Sequence, residues 1–356
     1  MDDINASGTL DEALDRLHLT GPEHWGWMSN HAPMAVEALA RHGQAPAVHP
    51  WIDRYRDKLE DMPAPNGRIT DENWRELLGD ARHLADWIDH FTRLIGERPW
   101  RDVLAEWWPR LLPGIAAGAT HPVIRVGHAV RTLLRDGETA PRTVELAHAL
   151  GYWAARHLTL PTPVAPHGTA GPGPALAAVP RVPDQSGGVL ERLAQLPRTP
   201  GWQDAVDSVR PAAEPEGALT ALRDLVTAAT CRYGRYELAG DLDPVMLVHA
   251  ATAPNAVLRI LPALPQELWP QSMAAAWAAS AAVTAAYAPG LREGPGRTGR
   301  APTTGEVFLR AAANGNEHAI KFADTALDVA AASPEHSSEA LAAAIVSCEL
   351  LEPIGP

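Results

Sequence analysis

The chain is 356 residues long, 46% hydrophobic and 21% charged, with a net charge of −13 and a pI near 5.6. This is a globular composition with enough apolar material for one large domain or two ordinary ones. The acidic balance and the lack of any basic run exclude nucleic acid and anionic membrane surfaces as expected partners. Two cysteines, Cys231 and Cys348, are too few for a disulfide framework or a Cys-rich zinc site.

The acidic start, Met1-Asp2-Asp3, has neither the basic nor the apolar region of a signal peptide. No uninterrupted apolar stretch approaches a membrane span. The longest, 273–287, is Ala-rich and reads as a tightly packed helix. The expectation is a cytoplasmic protein with reduced thiols and no membrane contact.

Taken in order, residues 1–24 read as an N-terminal segment and 25–352 as one domain. Apolar residues recur at Met34, Ala35, Ala38 and Leu39 over 31–42, the i, i+3, i+4 pattern of a helix. Residues 71–94 read as one or two amphipathic helices with Trp74, Leu77, Leu78, Leu84 and Ile88 inward. Further helices are predicted over 100–112, 123–134, 143–157, 217–231, 244–261, 269–287, 304–332 and 334–351. Pro99, Thr70-Asp71 and Ser333-Pro334-Glu335 supply start signals. Alternating strand patterns of useful length are absent. The predicted fold class is therefore all-α, a multi-helix bundle acting as a single functional unit.

Two Pro/Gly-rich stretches, 159–188 and 288–305, exceed ordinary helix connections and read as a linker, an insert or a site cover. The second contains Gly294, Gly296 and Gly299 in GxGxxG spacing. No strand precedes it, so a dinucleotide-binding reading is rejected.

Fifteen histidines are present. His18, His42, His49, His83, His90, His148, His157, His167 and His336 sit among polar or boundary positions and read as surface or capping residues. Four others sit at apolar helix starts. His31 follows Ser29-Asn30, either of which can cap the helix that Pro33 helps to initiate, beside Trp25 and Trp27. His121 precedes Pro122, with Arg125 and His128 on its face. His249 lies beside an Ala/Thr face that includes Thr252. His318 lies one turn before Lys321. Singly, each reads more readily as a core histidine than as a ligand. Together, neutral imidazoles projecting from separate helices suit Fe(II), Mn(II) or Zn(II).

Of thirty basic residues only Lys58 and Lys321 are lysine. Lysine, unlike arginine, can become a neutral amine. Glu317 is expected on a different face and Asp324 a further turn along. Lys321 carbamylated by CO2 is therefore one candidate for the anionic ligand that four neutral imidazoles leave lacking. The competing role is a cation that binds a substrate phenolate or enolate. An exposed lysine in an Arg-biased chain is the bland alternative.

At these residues the sequence resembles the questin oxidase-like family, whose namesake opens an anthraquinone ring oxidatively. Four blocks carry the resemblance in order: Asn30-His31, His121-Pro122 followed by Val-Ile, His249-x-x-Thr252 and His318-x-x-Lys321. The resemblance implies O2-dependent, Baeyer–Villiger-like or dioxygenase-type cleavage of a polycyclic aromatic polyketide, without a flavin. It points to His31, His121, His249, His318 and Lys321. His128 departs from the pattern and leaves open whether it or His121 is the ligand.

The resulting expectation is a monooxygenase or dioxygenase of secondary metabolism with a mononuclear non-haem Fe(II), and NADPH as an external reductant if one is needed. Lys321, Arg125 and His128 are candidates for the chemistry. Trp25, Trp27, Thr252 and Phe322 are candidates for holding the flat ring. Core packing is the alternative for the aromatics, and an acidic neighbour the alternative for Arg125. A cofactor-independent oxygenase using the histidines as bases, and a helical binding protein whose histidines merely pack, remain rivals. A ferritin-like di-metal protein needs two Glu-x-x-His motifs, and only Glu145-x-x-His148 stands out. A His-Asp phosphohydrolase is weaker still, because the chain has no His-Asp doublet.

Overall fold

A computed structural model of the chain describes residues 2–236, 243–290 and 302–355, and the side chains of 7–236, 244–290 and 302–355. The expected GxGxxG at Gly294, Gly296 and Gly299 lies outside the described residues, as does most of the 288–305 stretch. The fold is all-α, with one two-stranded antiparallel hairpin among the described residues. The chain divides into two compact units, Met1–Thr159 with Arg259–Pro265 and Ile354–Pro356, and Leu160–Leu258 with Gln266–Pro353.

The first unit begins with α1 (Asp2–Leu17) and the hairpin β1 (Glu23–His24) to β2 (Met28–Ser29). It continues through α2 (Ala32–Arg41), α3 (Val48–Tyr55), α4 (Trp74–Leu77), α5 (Leu84–Glu97), α6 (Trp100–Leu111), α7 (His121–Asp136) and α8 (Ala140–Ala155). Helix α5 buries Leu84, Trp87, Ile88 and Phe91, a stripe at helical spacing, against α8. The approach is close because α8 carries Gly151. A Cβ there would sit 2.7 Å from the backbone Cα and N of Ile88. Trp51, Trp87, Trp107, Trp108 and Trp153 fill the core. Helix α7 packs on α8 and α2, and the short turn Leu261–Ala263 packs on α6.

The second unit contains α9 (Pro172–Ala178), α10 (Val189–Leu193), α11 (Trp202–Asp207), α12 (Pro215–Tyr233) and α13 (Asp243–Leu247). Most of α14 (His249–Ile260) follows, then α15 (Trp269–Tyr287), α16 (Thr304–Asn314), α17 (Glu317–Ala332) and α18 (Ser337–Leu350). Helix α12 packs on α15 and α9, and α17 on α18. Part of the 159–188 stretch is thereby built into a helical layer, with Ala170 bridging to Val209.

Two predicted helices are broken. The 304–332 helix stops at Gly315, whose φ of 75° is the left-handed C-terminal conformation that glycine adopts without a Cβ penalty. The 244–261 helix divides so that His249 begins α14. Pro254 inside α14 has no N–H for the carbonyl four residues back. That carbonyl, on Ala250, instead accepts a hydrogen bond from the Ser280 hydroxyl of α15 at 2.7 Å.

Residues Pro244–Ala263 are the one helical segment among the described residues long and apolar enough to cross a membrane. Its mean hydropathy is 1.2, and 78% of it is buried within the protein. The Ala-rich 273–287 run belongs to α15, nearly all of it buried.

Candidate functional site

In the first unit two of the four singled-out histidines meet. His31 immediately precedes α2, and its backbone N–H donates to the Tyr55 hydroxyl at 3.0 Å. Next to it, the Asn30 side-chain oxygen accepts from Ala32 N–H at 3.0 Å, the capping role expected of this residue. His121 is the first residue of α7. The turn before it is left-handed at Gly118, Ala119 and Thr120, with φ of 46°, 54° and 71°. Two non-glycine residues in that region cost on the order of 1–3 kcal/mol each and are held only by surrounding structure.

The turn aims His121 back on itself, so that its Nδ1 lies 2.5 Å from the Gly118 carbonyl. A carbonyl can only accept, so Nδ1 carries the proton and the lone pair is on Nε2. The His31 and His121 rings are 4.4 Å apart at 43°, with one nitrogen of each within 4.8 Å of the other. Both side chains are buried. The adjoining Thr120 hydroxyl is also buried and has no hydrogen-bond partner among the described residues.

His128 does not join that pair. Its Nδ1 lies 2.7 Å from Glu37, whose carboxylate also takes the Arg131 guanidinium. Burial holds His128 below the ordinary histidine value, with Glu37 opposing. Arg125 makes a two-pronged ion pair with Glu145 at 2.6 and 2.8 Å. The acidic-neighbour alternative is the one observed. Burial alone would raise the Glu145 carboxyl, but Arg125, helped by His18, holds it at about 2. The His148 ring lies 4.6 Å from that of His18, tilted at 40°, and burial together with Arg125 and His18 pushes it down to about 3. A cavity of about 10 Å³, the size for one water, touches both Glu37–His128 and Glu145.

The surface-or-cap reading is corrected for His148 and for His90. Both are buried, and His90 is packed edge-on to Trp87, Phe91 and Trp107. Trp25 and Trp27 are not core residues of this unit. They cap the β1–β2 hairpin at 62% and 67% exposure.

The second unit brings the other two histidines together. His249 opens α14, His318 lies in the first turn of α17, and their rings are 5.6 Å apart at 66°. The Asn316 side chain accepts from His318 N–H at 2.9 Å and fixes the start of that helix. One turn beyond His249, the Thr252 hydroxyl is buried and has no hydrogen-bond partner among the described residues. Lys321 is fully buried, which removes the exposed-lysine alternative. Glu317 and Asp324 are also buried, Asp324 completely. Phe322 is fully buried with its ring 4.5 Å from Tyr233, the core-packing alternative.

The residues fit a divalent transition metal on three counts. The donors are imidazoles in pairs, one of them, His121, has its tautomer fixed by the Gly118 carbonyl, and buried threonine hydroxyls stand beside both pairs. Sequence reasoning missed Glu37 and His24. Glu37 was detectable as the one acid in the apolar run 32–40. His24 is buried edge-on to Trp25 at 4.8 Å, and nothing in its spacing signals that.

An all-helical protein with buried, paired imidazoles is the class so defined. The family model described as Questin oxidase-like matches residues 28–136, under a third of the chain, and marks a similarity to that family over those residues. The matched segment contains the first two blocks of the resemblance, His31 and His121, and ends with α7. No curated protein matches the sequence.

Proposed function

We propose that the chain is an O2-dependent oxygenase that oxidises or opens a ring of a polycyclic aromatic polyketide, of the anthraquinone or anthrone type. Each histidine pair is a candidate centre within its own unit. The observation that carries this reading is that the four histidines singled out by sequence are two buried contact pairs, one of them inside the family-matched segment.

A bound Fe(II) would supply O2 activation, with His31 and His121 of the first unit, or His249 and His318 of the second, as its candidate ligands. The other roles belong to the chain's own groups. His121 keeps its Nδ1 proton on Gly118 and presents Nε2. The Lys321 ammonium offsets the charge of a phenolate or enolate and orients it. Thr252 donates to a ring oxygen. The apolar shell excludes water. Arg125 serves as structure rather than as a substrate clamp, because Glu145 already occupies both of its prongs.

A second reading is favoured by one observation, the buried His128–Glu37 dyad at 2.7 Å. A histidine kept neutral and held by a carboxylate can take a phenol proton, and the resulting carbanion reduces O2 without a metal.

Elemental analysis with O2 uptake on an anthrone separates these readings. Stoichiometric iron, with uptake lost in His121→Ala and His249→Ala, supports the first. Full turnover in chelator, lost in His128→Ala, supports the second. No iron and no uptake leave a helical binding protein. Uptake that depends on NADPH marks a monooxygenase, since one oxygen atom must then leave as water.

A further inference from the structure

The second unit carries another set of donors, on residues that the oxygenase reading does not use. Cys231 lies in the last turn of α12 and is buried at 7% exposure. His336 closes the 3-10 turn Pro334–His336, and Glu339 lies in the first turn of α18. One donor atom from each, the thiol sulfur, an imidazole nitrogen and a carboxylate oxygen, lies within 4.8 Å of the other two.

The fold gathers them for reasons independent of any ligand. The 334–336 turn packs on α17 and α18, and α12 packs on α18. Gly234 permits the close approach, since a Cβ there would meet the Ala343 backbone at 3.0 Å. Thr227, one turn before Cys231, has its hydroxyl 3.4 Å from that of Ser333. Asp224, two turns before Cys231 on the same face of α12, lies within electrostatic reach of His336.

We propose that Cys231, His336 and Glu339 form a binding site for a zinc-class divalent cation, with Asp224 or a water as the fourth ligand. The donor set selects the ion. Mg²⁺ and Ca²⁺ take oxygen ligands, whereas sulfur with imidazole favours Zn²⁺ and Co²⁺ in tetrahedral geometry. A thiolate and a carboxylate together neutralise the ion's two charges. Binding breaks the S–H bond, forms the sulfur–metal bond and releases the proton to solvent. The two exposed ligands stand at element ends, where side chains can close to about 2.0–2.3 Å from the ion.

Cobalt is the probe, because a sulfur-to-Co²⁺ charge-transfer band in the near ultraviolet arises only from a thiolate ligand. The full chain, stripped with chelator and titrated with Co²⁺, is expected to develop that band to one equivalent. Cys348→Ser retains it and Cys231→Ser loses it. His336→Ala and Glu339→Gln, both at exposed positions, keep the fold by circular dichroism and weaken binding roughly tenfold or more. No sulfur band up to millimolar Co²⁺, or a band that survives Cys231→Ser, overturns the proposal. Cobalt on imidazoles alone gives no sulfur band, so failure here leaves the oxygenase reading standing. The iron counts of that test are made in Cys231→Ser, so that metal at this site does not enter them.

Discussion

Glu145 and Arg125 face each other where neither side chain is more than about one-twentieth exposed. Two ions taken out of water are tolerated there because the guanidinium fork matches both carboxylate oxygens and His18 takes a further bond at 3.0 Å. Removing one partner strands the other. Glu145→Ala is expected to destabilise the protein by about 3–5 kcal/mol in urea unfolding, far more than removal of Glu106 from its partly exposed pairs with Arg98 and Arg110.

Protons act on the same cluster in two windows. His148 has its folded value lowered to about 3 from 6.5, so the unfolded chain binds its proton first. Its contribution is whole above about pH 6.5 and is lost progressively as pH falls toward 3. Buried His90, lowered to about 4 by burial and Arg93, acts in the same sense. Glu145, lowered to about 2 from 4.5, contributes above about pH 4.5 and loses that contribution toward 2. The melting temperature should therefore begin to fall just below pH 6.5, ahead of the carboxylate range. His148→Gln should flatten that first slope in a pH series of thermal melts. An unchanged slope assigns the first window to other groups.

At the scale of helices, two contacts have no slack. Gly151 lets α8 lie against the backbone of α5, and backbone cannot rotate away as a side chain can. Gly151→Ala should cost about 1–3 kcal/mol in denaturant unfolding. Ser280 supplies the donor that Pro254 cannot. Ser280→Ala leaves the Ala250 carbonyl buried without that bond, at a cost of about 1–3 kcal/mol. Because Ala250 follows His249, the same change should also weaken metal retention, which elemental analysis of the variant checks.

The helices were legible because their apolar stripes repeat at 3–4 residues, as in Leu84, Trp87, Ile88 and Phe91. The break at Gly315 carries a written signal, a glycine between two asparagines, which the continuous apolar pattern overrode. The histidines were legible as unusual residues at apolar helix starts. Their pairing was not, since His31 and His121 are ninety positions apart and no local spacing encodes the meeting. The partners of Arg125 and His128 were hidden for the same reason. Glu145 and Glu37 are ordinary acids in sequence and become ligands of those groups only when α8 and α2 pack on α7.

On the scale of the whole molecule, neither unit is one uninterrupted run of sequence. The first takes 1–159, then 259–265 and 354–356. Residues 261–263 pack on α6, covering a helix whose Trp107 and Trp108 belong to the core. A fragment ending at residue 159 should accordingly be less stable than the same residues in the intact chain. Hydrogen exchange should show lower protection in α6 than in α5 or α8, which bury each other without outside help. Equal protection of all three would mean that 261–263 contribute nothing to that core.

The displaced segment also governs when the protein can come together in a cell. A ribosome working from the amino end delivers α1 through α8 early, but the piece that seals α6 is still more than a hundred codons away. Until it emerges, the part of that helix that 261–263 cover waits without them on the nascent chain. Slowing translation across the intervening stretch should lengthen that exposure and raise the demand for chaperones.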